Sequence, residues 1–140
     1  MGLKGSREAI VIEKNQLIGK KVLSVRQPFA GLIVAGIKQY ELRTWTTEHR
    51  GDLLIHASGS PHKQKRAALK LYPQLNFETM GAIIGLVKLI DILPVSEVLS
   101  EIGPLENLAG HFTYAWRLSD VQDIEPIPAL GRLGLWTFNG

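Results

Sequence analysis

The chain of 140 residues contains no cysteine. Disulfides and thiolate metal sites are therefore excluded, and a reducing cytoplasm is the simplest home for it. Long apolar runs are missing as well. In the first twenty residues only Ala9 to Ile12 are consecutively apolar before Glu13, far short of a secretory core. The longest apolar stretch, Met80 to Leu93, is broken by Lys88 and Asp91 and falls short of the roughly 20 residues that span a bilayer. A soluble chain without a membrane partner is expected. Charge of one sign is also scarce: 16 Lys and Arg against 13 Asp and Glu leave +3. That excess permits an anionic partner but is too small to act as a steering field by itself. No repeat, linker or low-complexity tract interrupts the chain, so one domain is expected at residues 20–140, behind an N-terminal extension at 1–19.

What is present is a succession of short strands and helices. Val22 to Arg26 alternates, with Leu23 and Val25 on one side and Ser24 and Arg26 on the other, as in a half-buried strand. Pro28 suits the first turn of a helix, which Gly36 is placed to end. A second strand is predicted at about Gln39 to Trp45 and a third at Leu53 to Ala57, joined by a turn. Ser60-Pro61 reads as the start of a helix through about Tyr72, with Ala67, Ala68, Leu71 and Leu75 inward. Met80 to Leu93 reads as a strand apolar on both faces, bent at Gly81 and Gly85 and stopped by Pro94. A short helix at Val95 to Ile102, closed by Gly103-Pro104, leads to a half-buried strand from Phe112 to Ser119. The tail PIPALGRLGLWTF reads as a loop and a closing strand. Five or six strands with two or three short helices, not in strict βαβ alternation, argue for a small mixed α+β barrel.

The opening strands carry more charge than a core strand needs. Glu41, Arg43 and Trp45 share one face of the second strand, with Tyr40 and Leu42 opposite. Ser24 and Arg26 on the first strand, and His56 and Ser58 on the third, would merge with them if the strands pair at about 4.8 Å. The spacing Gly36-x-Lys38-x-x-Glu41-x-Arg43 sets an ammonium, a carboxylate and a guanidinium beside a flexible turn. In a regular strand Lys38 faces away from Glu41, so it joins the cluster only if the strand starts after it or bulges. A solvated sheet face with weak ion pairs is the competing reading.

These residues resemble the ASCH family, a branch of the PUA-like barrels. The resemblance runs over roughly residues 20 to 138 and is carried by Val22-Leu-Ser-Val-Arg-Gln-Pro28, Gly36-Ile-Lys38, Glu41-Leu-Arg43-Thr-Trp45, Arg50-Gly51 and Ile55-His56-Ala57-Ser58. Weaker matches are Gly81 to Gly85, Trp116-Arg117-Leu118 and Gly131-x-x-Gly134-Leu-Trp136. It implies a PUA-like barrel with a cleft beside the Pro28–Gly36 helix, and work on RNA or a modified nucleoside. Some relatives resemble amidohydrolases that deacylate a modified cytidine with a lysine, a threonine three positions later and a separate glutamate. Lys38 matches that lysine, but Glu41 stands at the threonine position.

Three readings follow. In the first, the cleft binds RNA or a nucleotide-like small molecule. Arg26, Lys38 and Arg43 take phosphate or a base edge, Glu41 accepts from a base amino group, and Trp45 stacks. Gln27 and Pro28 from the first motif, Ser24, His56 and Ser58 from the strand faces, and Arg132 at the rim complete the candidate binding set. In the second, Lys38 and Glu41 are catalytic in an amidohydrolase. In the third, the domain is a non-catalytic adaptor. Lys38→Ala with Glu41→Ala should weaken ligand binding and leave stability intact. No cofactor is implied, and His49, His56, His62 and His111 lack metal spacing. The Gly131-Arg-Leu-Gly134 stretch lacks the context of a phosphate loop.

Overall fold

A computed structural model describes residues 8–103, 105 and 114–140. Residues 1–7 of the extension, Pro104, His111, Phe112 and Thr113 lie outside the described residues. Among the described residues, no helix is long and apolar enough to cross a membrane.

The elements follow the chain as α1 (Lys14–Leu17), β1 (Lys21–Val25), α2 (Phe29–Val34), β2 (Tyr40–Arg43), β3 (Gly51–Ala57), α3 (Lys65–Leu71), β4 (Ala82–Pro94), β5 (Tyr114–Pro128) and β6 (Leu135–Thr137). The strands form one mixed sheet in the order β2-β5-β4-β3-β1-β6, curled into a half-barrel. Only β1 and β3 run parallel, with Ser24 opposite His56; all other pairs are antiparallel. Curling follows from the long β4–β5 ribbon, whose register shifts three times, because each irregularity bends its strand and sharpens the local twist.

Helix α2 fills the inside of the curl. Ala30, Ile33 and Val34 pack on Leu23, Val25, Leu53, Ile55 and Trp116 in the main core. The approach is so close that a side chain at Gly85 would collide with Val34. On the outer face, Val22, Leu54, Ile83, Ile124 and Phe138 form a second cluster that Leu17 of α1 covers. Strands β1 and β3 thus pack on both sides, although the alternation of Val22 to Arg26 had read as a half-buried strand. Ile10 bridges Ile124 alongside β5.

Several boundaries differ from the sequence expectation. The third helix starts at Lys65 rather than Ser60, because the chain is first tied down at His62. Its N–H donates to the Gln27 carbonyl at 2.6 Å, and its Nδ1 accepts from Gln64 N–H at 3.1 Å. Leu71 was expected inside but is 54% exposed; Leu69, Tyr72 and Phe77 pack in this region instead. Residues 95–101 form two single 3₁₀ turns in place of one helix. The strand expected to end at Ser119 runs on to Pro128. Its exposed Asp120, Gln122 and Glu125 hid it, since pairing with β4 rather than an apolar pattern holds it in place.

A charged cleft at the end of the half-barrel

Between β1, β2, the start of α2 and the 129–134 loop lies an open cleft of about 640 Å³. Its wall includes Ser24, Arg26, Glu41, Arg43, His56, Ser58 and Arg132 from the expected set. Phe29, His62 and Leu133 also line it, though they were not in the expected set.

Glu41 is the centre of the floor. It is 7% exposed, and its Oε2 accepts from Arg43 Nε at 3.0 Å and lies 2.9 Å from Arg43 Nη2. Its Oε1 lies 3.6 Å from Lys38 Nζ. Arg43 Nη2 also donates to the Ser24 carbonyl at 2.8 Å, which ties β2 across to β1. The register difficulty at Lys38 is resolved by where the strand begins. Strand β2 starts at Tyr40, while the N–H groups of Ile37 and Lys38 both donate to the Leu32 carbonyl at the end of α2. From that turn Lys38 reaches Glu41 and lies 5.2 Å from the centre of the Phe29 ring. It sits behind the cleft wall and lines smaller hollows on the far side.

The other wall is a hydrogen-bonded chain. His56, 1% exposed, contacts the Ala129 carbonyl through Nε2 at 2.7 Å and Ser24 Oγ through Nδ1 at 3.1 Å. A carbonyl only accepts, so Nε2 carries the hydrogen and Nδ1 faces the Ser24 hydroxyl. Trp136 Nε1 donates to the same hydroxyl at 3.2 Å. Gly131 closes over this chain, where a Cβ would stand 2.8 Å from His56 Cε1. Parallel pairing of β1 with β3 creates the arrangement, because it sets Ser24 opposite His56.

Three expected residues have other work. Gln27 is fully buried; its Oε1 accepts from Gly31 N–H at 2.9 Å and its Nε2 donates to the Thr79 carbonyl at 2.9 Å. It anchors α2 to the 75–79 loop and faces a different hollow. Pro28, after a cis peptide bond, caps α2 and is buried. Trp45 packs edge-on against Trp116, ring centres 4.8 Å apart, as a flank of the core. Trp45, expected as a stacking surface, is half-buried and is not among the residues that line the cleft. Arg26 is exposed at the rim and donates to the Pro61 carbonyl at 3.1 Å. Arg132 is also exposed, 5.9 Å from the Trp136 ring centre. His62 is held below its ordinary pKa, first by burial and then by Arg26 and Lys63 nearby. Among the described residues, no group of three His, Asp or Glu side chains is arranged to hold a metal ion.

A mixed α+β half-barrel, with a helix laid inside the curl and a charged cleft beside that helix, is the class of domain defined here. The chain belongs to the ASCH domain family, whose profile matches residues 23–128. It is 41% identical over 81 residues to activating signal cointegrator 1 of Mus musculus and of Homo sapiens. That match takes in 51% of this chain and only 14% of those longer proteins. The crystal structure of ASCH from Zymomonas mobilis superposes with a TM-score of 0.58 at 18% identity, over 86% of this chain and 87% of that one. A point mutant of the same protein gives a TM-score of 0.59 at 19% identity, over 86% and 90% of the two chains.

Proposed function

We propose that this domain binds RNA, or a nucleotide-like ligand, in the cleft floored by Glu41. The observation that carries the reading is a buried carboxylate, braced by two cations, facing a hollow with Arg26 and Arg132 on its rim. A braced carboxylate accepts hydrogen bonds from the amino group of a base without having to reorganise. The rim guanidiniums suit phosphate, and Phe29 offers an apolar surface within the cleft. Among the described residues Arg43 spends Nε and Nη2 on Glu41 and Ser24, which leaves Nη1 for a ligand.

The amidohydrolase alternative has less support. Lys38 Nζ lies behind the wall against Glu41 and Phe29, and Glu41 stands where the resemblance calls for a hydroxyl. The test is titration of a fluorescent single-stranded RNA into the wild type and into Arg26→Ala/Arg132→Ala. Both side chains are exposed, so the fold should persist while affinity falls about tenfold or more and the salt slope flattens. Identical affinity and slope in the two proteins would defeat this reading.

A further inference from the structure

Beside the cleft stand two of the most exposed large apolar side chains among the described residues, Leu133 at 99% and Leu130 at 90%. They flank Arg132 in one short loop. The loop is not a loose flap. Its root is held by the hydrogen bond from His56 to the Ala129 carbonyl at 2.7 Å and from Ala129 N–H to the Gly81 carbonyl at 3.1 Å. Gly131 is seated against His56 and Ser24, and the chain re-enters the sheet at Leu135, paired with Leu23. Two leucines are thus presented to solvent from a firm base.

Their surroundings choose the partner. The nearby exposed charges are Arg132 between them and, across the cleft, Arg26 and Lys63. A purely apolar protein groove would have to strip water from these cations without repaying them. Nucleic acid offers both halves of the match, phosphates for the cations and base faces for the leucines. A free nucleotide in the cleft would reach Leu133 and leave Leu130, which does not line it, without a contact.

We propose that Leu130 and Leu133 are a wedge that enters a base stack, so that the cleft receives a nucleotide swung out of a stacked RNA strand. The inference rests on the cleft being a nucleotide site and adds the class of substrate. Proteins that extrude a base must overcome lost stacking, and an apolar side chain in the vacated gap restores part of it.

The experiment uses the full chain, an RNA hairpin with a bulged 2-aminopurine, and the free 2-aminopurine ribonucleotide. The wild type should bind the hairpin with a rise in 2-aminopurine fluorescence as the base leaves the stack. The Leu130→Ser/Leu133→Ser variant should bind the hairpin roughly tenfold or more weakly, without the rise. Its thermal melt should match the wild type because both side chains are exposed, and Leu130→Ser alone, outside the cleft lining, should leave the affinity for the free nucleotide unchanged. A variant that keeps the hairpin affinity and the fluorescence rise overturns the wedge while leaving the cleft as a nucleotide site. A wild type that binds neither probe overturns both. Sedimentation giving a wild-type dimer that the variant lacks overturns the wedge in favour of contact between copies.

Discussion

Two carboxylates in this protein each stand between two cations. Asp52 on β3 accepts from Lys20 at 2.6 Å and Lys88 at 2.8 Å. Glu41 on β2 lies between Lys38 and Arg43. The chemistry is nearly the same and the burial is not: the Asp52 side chain is 34% exposed and that of Glu41 is 9% exposed. Solvent screens the first cluster, which therefore contributes little. The second has lost its water, so each charge depends on its partners. A buried ion pair is seldom the most stable filling for its space, and here it faces a cleft with Arg26 and Arg132 in its lining. The difference is one of position: the outer cluster lies open on the sheet, whereas the inner one is buried at the cleft.

The largest expected effect breaks the inner cluster. Glu41→Gln should destabilise the fold by about 3–5 kcal/mol, because Lys38 and Arg43 lose the buried carboxylate that lies between them; urea unfolding measures it. Lys38→Ala and Glu41→Ala, expected from the sequence to leave stability intact, should lower it instead, since both side chains are buried. Arg43→Met should have a smaller effect, about 1–3 kcal/mol in the same measurement, through its lost bonds to Glu41 and the Ser24 carbonyl. A loss for Glu41→Gln no greater than for an outer-cluster variant would erase the distinction.

Asp52→Asn should change stability by less than about 1 kcal/mol. Hydrogen bonds from Lys20 and then Lys88 hold the Asp52 carboxyl below its ordinary value of 3.8. The folded chain therefore binds this proton less readily than the unfolded chain. Its stabilisation is present in full above pH 3.8 and is lost as pH falls through the depressed value. Unfolding at neutral and strongly acid pH should show the variant's deficit only at the former, and high salt should shrink it. The smallest signal comes from His62, whose pKa is lowered by burial, Arg26 and Lys63. Protonation opposes folding here, so this contribution to stability rises with pH towards 6.5 and is flat above it. Bound RNA should offset the two cations and raise the His62 pKa in an NMR titration. An unmoved value would mean that no phosphate comes near Arg26.

Much of the cleft was legible because strand alternation is local. Ser24 with Arg26, Glu41 with Arg43, and His56 with Ser58 were placed on common faces by period alone, and all six side chains line the cleft. Gln27 and Trp45 were misjudged for one reason. A polar or aromatic side chain beside a motif has the same sequence signature whether it meets a ligand, a backbone carbonyl or another ring. The second half of β5 was hidden because its register on β4, rather than its own pattern, makes it a strand.

The sequence by itself determined which residues alternate, where the helix beside Pro28 begins and how the charges are spaced, since these depend on neighbours a few positions apart. Only the tertiary structure decided that Lys38 stands behind Glu41, that His56 bonds to Ala129, and that Leu133 lines the cleft. The first rests on the turn that ends α2, and the other two join segments far apart in the chain through the parallel β1–β3 pairing and the curl of the sheet. Burial then turned an ordinary ion pair into a dependent one, because losing water is a property of position in the fold rather than of residue type.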